Sequence, residues 1–317
     1  MKNTCETKMP GVAGLTFSNR LKKDLRQHYG AYLLMIPVIV YYIIFYYKPM
    51  YGALIAFQDY DPALGIWRSP WVGFAHFKRF FSSPDCYRVI KNTLVLSLNS
   101  IIWGFPAPII LAIMMNEIKS KRFKSAAQTI SYLPHFISLV VVCGLLKTFV
   151  SSGGVILQIY TMLGGKNVGM LNRSEMFVPI YILSNIWQGC GWDSIIYLAA
   201  ISGISMDLYE AATIDGAGRW KKMIHVTLPG IMPTVVTMLI LKLGSIMSVG
   251  YEKIILLYNP LIYETSDVIG SFTYRIGIGG QQWSYSSALG LFNSVINMII
   301  VILANRVSAK ITETSLW

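Results

Sequence analysis

Charged residues are few in this chain of 317 amino acids: Asp, Glu, Lys and Arg make up only 13 % of it. A soluble domain of that length would cover itself with far more charge, so a water-soluble globule is excluded. Cysteine is also sparse. Cys5, Cys86, Cys143 and Cys190 are widely separated, which fits neither a disulfide framework nor a zinc-ligand spacing. Unpaired packing thiols are expected. No Gly-x-x-x-x-Gly-Lys-Ser/Thr phosphate loop occurs. Gly164-Gly165-Lys166 is followed by Asn167 and lacks the frame, so the chain does not bind ATP in the usual way. His-Glu-x-x-His and Gly-x-Ser-x-Gly are missing too. His28, His76, His135 and His225 lie on separate segments. His135, beside Pro134, reads as a structural hydrogen-bonder rather than a proton relay. These absences exclude the common enzyme classes.

What is abundant is apolar surface: 54 % of the residues, with a mean hydropathy of +0.51. Solvation in lipid explains it. A helix needs about twenty mostly apolar residues to cross the hydrocarbon core. Six segments qualify, at 31–47, 93–115, 130–150, 177–201, 231–249 and 287–304. Pro106 and Pro108 fall in the second and Pro134 in the third, where they predict kinks or interruptions that neighbouring helices tolerate. The expected fold is an all-α integral membrane protein with six transmembrane helices.

The net charge of +12 sits in tails and loops rather than one dense cluster, so no nucleic-acid partner is expected. Residues 1–30 form a basic tail. The apolar run after it is too long for a signal-peptide core and reads as an uncleaved first span. Lys and Arg near the span ends set the orientation. With the amino terminus inside, cytoplasmic segments hold the tail, then Lys119, Lys121, Arg122 and Lys124, then Arg219, Lys221 and Lys222, then Arg306 and Lys310. Both termini are then cytoplasmic. Residues 31–305 form a single membrane domain, and 306–317 a second tail.

The first external segment, 48–92, is aromatic. Phe74, Phe77 and Phe81 recur at helical spacing beside Lys78 and Arg79. That predicts an amphipathic helix, lying in the interface or packing on the mouth of the bundle.

Residues 205–229 are too polar for lipid and too patterned for a linker. Leu208 to Ala212 is helix-compatible. Asp215-Gly216 offers a break, because glycine accepts left-handed dihedrals and Asp caps readily. Arg219 to His225 can form a second short helix, and Pro229 suits the first turn of the next span. Small residues at the bend, Ala211, Ala212, Gly216 and Ala217, let another protein approach closely. Glu210 offers one charge to a basic partner.

Glu210-Ala211-Ala212, Asp215-Gly216-Ala217 and Leu228-Pro229 between two spans resemble the docking loop of the membrane subunits of ATP-binding-cassette (ABC) importers. Met223 stands where that family usually has phenylalanine and Val226 where isoleucine is common; both keep an apolar anchor. Further similarity lies in Tyr47-Lys48-Pro49-Met50-Tyr51-Gly52, Ser69-Pro70-Trp71-Val72-Gly73, Tyr132-Leu133-Pro134-His135-Phe136-Ile137-Ser138 and Leu257-Tyr258-Asn259-Pro260, which resemble the oligosaccharide-importing branch. The resemblance implies a type I importer bundle in the cytoplasmic membrane, whose short coupling helix seats in a cleft of a separate ATPase, with Glu210 pairing an arginine there. It implies a second, non-identical permease, two ATPase subunits holding ATP and Mg, and an extracellular solute-binding lipoprotein. The chain itself would bind no cofactor and no metal, and would catalyse nothing.

Polar residues inside spans mark partners or a wet cavity. Asn185, Gln188 and Trp192 share one face of the fourth span, with Asp193 adjacent. Lys242, Ser245 and Glu252 recur at comparable spacing around the fifth, with Tyr251 beside Glu252. Asn293 and Asn297 share a face of the sixth. Amides, carboxylates and aromatics suit sugar recognition, and the related maltose permease lines its sugar site from the span that matches 185–192. The alternative is interhelical hydrogen bonding. Lys242 would meet either an acidic sugar or a carboxylate of this chain or of its partner. A homodimeric ABC permease for a smaller solute, or an ion-coupled transporter using Asp193, are the rival functions; the latter should show repeated halves, and no repeat is visible.

Overall fold

The computed structural model describes residues 25–312, and side chains through residue 310. It divides at Leu54/Ile55 into two units. In the first unit helix α1 begins; helical structure runs over Tyr29–Phe57. Its rings at Tyr41, Tyr42, Phe45 and Tyr46 contact one another along one turn.

In the second unit, α2 spans Ala75–Phe81, α3 Pro84–Asn116, α4 Lys121–Tyr132, α5 Leu139–Val150 and α6 Val155–Met162. Then come α7 at Ser174–Ser202, α8 at Met206–Ile214, α9 at Arg219–Leu243, α10 at Tyr251–Leu257, α11 at Ile269–Tyr274 and α12 at Trp283–Thr312. Five helical stretches are long and apolar enough to cross a membrane. The sixth is α7, which meets that test together with α8, bent from it by 69°. Six membrane helices is the expected number.

Three of the helices carry a π-type segment two residues ahead of a proline. Ile43–Tyr47 precedes Pro49, Ser100–Gly104 precedes Pro106, and Met223–Thr227 precedes Pro229. Proline has no N–H and its ring crowds the carbonyl four residues back. Widening the turn lets neighbouring N–H groups reach five residues back, as Lys48 does to Ile43 and Leu228 to Met223. The helices therefore continue through their prolines. Pro229 does not open the fifth span as expected; α9 already starts at Arg219.

The third expected span, 130–150, is divided. Around Pro134 the chain forms a 3₁₀ turn, Leu133–Phe136, and α5 starts afresh at Leu139 with Ser138 capping. The fifth, expected to reach residue 249, ends as a regular helix at Leu243. Residues 244–250 are irregular.

Three apolar clusters hold the second unit together. One joins α7 to α5, α6 and α10 through Phe177, Tyr181, Val150, Leu157 and Ile254. A second joins α2, α11 and α12 through Phe80, Phe272 and Leu289. The third joins α3, α7 and α9 through Ala112, Tyr197, Ile201 and Ile231. At the crossing of α7 with α4, Gly191 lies so close to Ser131 that an added Cβ would stand 2.0 Å from its carbonyl oxygen.

Helix α2 packs on α12. Its buried residue is Phe80, which meets Phe292, and Arg79 stacks over Tyr285 at 4.5 Å. Phe74 and Phe81 are largely exposed. Packing on the bundle, one of the two placements expected for this helix, is seen in these contacts. Among the described residues Cys86, Cys143 and Cys190 are free thiols, and no set of residues could hold a metal. Cys5 lies outside the described residues, as does most of the basic tail.

Candidate functional site: the Glu-Ala-Ala loop and two neighbouring cavities

The loop between α7 and α9 is built by its caps. Ser205 accepts from the Asp207 N–H at the start of α8, and Asp207 is the acidic residue of that first turn. At the other end, the Gly216 N–H bonds Thr213 O at 3.0 Å and the Ala217 N–H bonds Ala212 O at 2.8 Å. That pair is a Schellman motif, and it needs the left-handed residue that Gly216 supplies at φ +74°. Across the loop, the Tyr209 and Thr227 hydroxyls meet at 2.9 Å, and Lys222 Nζ donates to Thr213 Oγ1 at 2.7 Å. α8 and the start of α9 are therefore clamped together as one rigid element.

On that element Glu210, Ala211, Asp215, Gly216 and Pro229 are exposed, and Ala212, Ala217, Met223 and Leu228 half-buried. Ile214 and Trp220 stand out, 86 % and 75 % exposed. Large apolar side chains exposed at a polar loop mark an interaction surface, for another protein or for the membrane. The sequence reading named the small residues and the anchor Met223 but not Ile214, Trp220, or the Tyr209–Thr227 clamp. The apolar pair is the signal that was there to find.

The polar residues of the spans gather around the irregular segment 244–250. Backbone at membrane depth has to satisfy its polar groups internally or on a cavity, and this segment does both. Ser97 Oγ donates to Ile246 O. The Met247 N–H donates to Asn297 Oδ1 at 2.9 Å, and Ser248 Oγ accepts from Asn297 Nδ2 at 2.9 Å and from Asn293 Nδ2 at 3.3 Å.

On one side of the segment is a cavity of ≈ 270 Å³, lined by Tyr181, Asn185, Lys242, Ser245 and Ser248 among others. A smaller one, ≈ 110 Å³, shares Asn185 and Lys242 and adds Asp193. Among the described residues Lys242 has no carboxylate within ion-pair distance. On the other side is a cavity of ≈ 540 Å³, which includes Tyr251, Glu252 and Asn293.

The expected substrate-path residues are thus sorted into different places. Asn185, Lys242 and Ser245 come together. Glu252 does not join them: the break at 244–250 destroys the helical register that would have aligned it with Lys242, and it faces the larger cavity with Tyr251. Gln188 and Trp192 support the turn around Pro134 instead, Gln188 donating to Ile137 O at 3.4 Å and Trp192 stacking flat on His135 at 4.5 Å. Asn297 serves as interhelical glue. Lys253, absent from the expected set, is 3 % exposed and donates to Asn185 Oδ1 at 2.8 Å.

A family model described as "Binding-protein-dependent transport system inner membrane component" matches residues 104–313. The chain belongs to this family, whose members are the membrane permease subunits of ABC transporters, non-catalytic components that cross the membrane several times. Among its relatives in Bacillus subtilis (strain 168), the polygalacturonan/rhamnogalacturonan transport system permease protein YteP is 41 % identical over 99 % of both chains, and protein LplB is 40 % identical over 96 % of this chain and 95 % of its own. Among solved structures, that of a bacterial ABC transporter involved in the import of the acidic polysaccharide alginate contains a chain 47 % identical to this one. The two superpose with a TM-score of 0.86, covering 92 % of this chain and 99 % of that one. A second structure shows such a transporter in complex with its alginate pentasaccharide-bound periplasmic protein, again at TM-score 0.86, with 46 % identity over 94 % of this chain and 100 % of that one.

Proposed function

We propose that this permease subunit carries an acidic oligosaccharide across the cytoplasmic membrane, driven by a separate ATPase. The observation that carries the acidic part is Lys242. An ammonium at membrane depth is costly unless it has a counter-charge or a wet cavity. Lys242 faces two adjoining cavities with no carboxylate in ion-pair contact among the described residues, although Asp193 lines the smaller cavity with it, and it stands beside the amide of Asn185 and the hydroxyl of Ser245. A uronate carboxylate would complete that site, the amide and hydroxyl taking its ring hydroxyls. Relatives named for polygalacturonan and for alginate, both acidic, support the same chemistry.

Coupling runs through the 205–229 loop. The clamped α8–α9 corner moves as a body, Ile214 and Trp220 seat in an apolar cleft of the ATPase, and Glu210 pairs with a cation there. ATP, with Mg, acts at two such ATPase subunits. A second, non-identical permease completes the pore, and an extracellular solute-binding lipoprotein delivers the sugar. Both termini are cytoplasmic. ATP closes the ATPase dimer, and the coupling corners draw together. The cavities then open outward because the docked corner is bound better in that state.

The test is ATP-driven uptake of a panel of acidic and neutral oligosaccharides by the reconstituted complex. Lys242→Met should depress uptake of the acidic members selectively, with the complex still assembled. Equal loss for both classes, or none, overturns the acidic assignment. Uptake that proceeds without ATP overturns the transport mechanism.

A further inference from the structure

We infer that the ≈ 540 Å³ cavity on the far side of the 248–250 segment is a second saccharide subsite, one that takes a neutral pyranose unit. The inference rests on the reading of this chain as an oligosaccharide permease and adds a site for an uncharged unit to the acidic one at Lys242.

The walls carry the argument. Tyr251 and Tyr274 lie with ring centroids 6.2 Å apart and planes inclined by 35°, and Trp283 lines the same cavity. All three rings are only partly covered, at 39 %, 42 % and 39 % exposure. Partly covered aromatic faces around a concave space suit the C–H face of a sugar ring, which stacks on them while its hydroxyls stay free. The cavity size lies in the range of small-ligand sites, roughly 300–1,000 Å³.

The polar groups are unspent. Thr273 and Asn293 both line the cavity, and Thr273 Oγ1 and Asn293 Oδ1 are each buried without a hydrogen-bond partner. Native structures rarely leave such atoms unsatisfied, and an unfilled ligand site is one physical reason. A small rotation of either side chain turns its oxygen toward a bound hydroxyl. Glu252 adds a carboxylate, and no Lys, Arg or His lines the cavity. A uronate would meet repulsion with nothing to offset it, whereas the hydroxyls of a neutral ring would donate to Glu252 and Asn293. The two cavities share Ser248, Val249 and Gly250, so one oligosaccharide could place successive units on either side of the segment.

Gly290 makes the site testable. It sits in the interior of α12 on the cavity wall, and a Cβ added there meets nothing within 4 Å. Gly290→Leu therefore brings an apolar side chain in from the cavity wall with no clash at its Cβ, and helix propensity favours the change. The measurement is equilibrium binding of a labelled neutral disaccharide, maltose, and of a labelled digalacturonate to the purified complex in nanodiscs. It compares wild type, Gly290→Leu, Trp283→Ala and Lys242→Met. Maltose should bind wild type and Lys242→Met alike, and roughly tenfold or more weakly to Gly290→Leu and Trp283→Ala, the scale of one lost stacking contact. Digalacturonate should depend on Lys242 instead.

Absence of maltose binding to wild type overturns the subsite. So does maltose binding that Gly290→Leu leaves unchanged. Digalacturonate binding that survives Lys242→Met sinks the acidic reading of the first cavity and leaves this one standing. Co-purification of the partner subunits with each variant shows that the losses are not failures of assembly.

Discussion

Lys253 Nζ donates to Asn185 Oδ1 at 2.8 Å, joining the short helix α10 to the middle of α7. The ammonium also lies 5.9 Å from the centre of the Tyr181 ring. It is 3 % exposed, and among the described residues no carboxylate is within ion-pair reach. A buried charge held by an amide and a ring face contributes little net stability but is strongly destabilising once orphaned. Asn185→Leu should therefore lower stability by about 1.5–3 kcal/mol, the worth of a hydrogen bond to a charged group. Lys253→Met, which removes the charge itself, should cost less, and the double variant should recover most of the Asn185→Leu loss. Thermal unfolding of the purified complex reads all three. If the double variant is as unstable as the sum of the singles, the two residues are not coupled.

Two glycines of α7 separate a close approach from open space. A Cβ on Gly191 would lie 2.0 Å from Ser131 O, a backbone atom that cannot swing away. Gly191→Ala should push α4 from α7 at a cost of about 1–3 kcal/mol, the usual range for overpacking. Two residues earlier, a Cβ on Gly189 meets only Asp193 Oδ2, at 3.7 Å. Gly189→Ala should be neutral or stabilising by up to about 1 kcal/mol, as helix propensity dictates. Melting temperatures of the two variants, measured side by side, check the contrast. Equal effects would mean that the crossing is not tight.

The contrast between the loop and the cavities explains what could be read ahead of the structure. The Glu-Ala-Ala loop is local: Gly216, Ser205 and Pro229 act through neighbours a few residues away, so spacing alone predicts helix, turn and helix. Span number is also local, since hydropathy decides it. The distribution of the span polar residues over separate places is not legible in this way, because periodicity assumes an unbroken helix. Reading 231–249 as one span put Glu252 in line with Lys242. The irregular residues 244–250 turn Lys253 inward and Glu252 toward another cavity. That break depends on Ser97, Asn293 and Asn297, partners 149, 45 and 49 residues from the atoms they hold, and no window of sequence contains them. Gln188 and Trp192 were placed on the correct face, but the turn around Pro134 occupies it.

Asn297 is the residue on which the break most depends. Its carbonyl accepts from the Met247 N–H and its amide donates to Ser248 Oγ, both at 2.9 Å. Asn297→Leu removes both bonds and orphans a main-chain donor, at a cost of about 1–3 kcal/mol. Asn297→Asp keeps an acceptor for Met247 and should do less harm. The segment also divides the two cavities, so Asn297→Leu should lower ATP-driven uptake more than its loss of stability alone predicts. Uptake per assembled complex, compared with a packing variant of equal melting temperature, tests this. Matching uptake would confine Asn297 to a stabilising role.

Glu210 carries the coupling proposal, and its side chain makes no hydrogen bond or ion pair among the described residues, so its removal should not unfold anything. Glu210→Ala should leave the stability of the isolated permease within about 0.5 kcal/mol of wild type, as for other surface changes. It should reduce sugar-stimulated ATP hydrolysis by the complex severely. Tyr209→Phe loosens the clamp to Thr227 without touching the partner, and should give a partial loss of stimulation with some loss of stability. Stimulated hydrolysis that is normal in Glu210→Ala would remove this residue from the coupling surface.

Asp267 holds two arginines at one carboxylate. It is fully buried, and Arg275 reaches it with two bonds, at 3.0 and 2.7 Å, while Arg88 approaches at 3.2 Å and Ser271 Oγ donates at 2.9 Å. Asn92 adds a bond to the Asp267 carbonyl at 3.0 Å. The cluster fastens α11 to α3. Burial alone would make the Arg275 guanidinium easier to deprotonate, but its bonds to Asp267 outweigh burial and hold it further into the charged state. A group whose folded value is raised gives its full stabilisation below its unfolded value, and loses it only as pH rises through the still higher folded one. For an arginine both lie above about pH 12. Raising the pH to about 9 should therefore leave this cluster intact on the arginine side. Asp267→Asn keeps the shape but leaves two guanidinium groups facing a neutral amide, and should cost about 3–5 kcal/mol, as for other broken buried ion pairs. Arg275→Lys loses the two-pronged geometry and should fall between. Thermal melts at neutral and alkaline pH decide it: a deficit in Asp267→Asn that disappears at about pH 9 would contradict the charge-pair account, because the Arg275 guanidinium stays charged throughout that range.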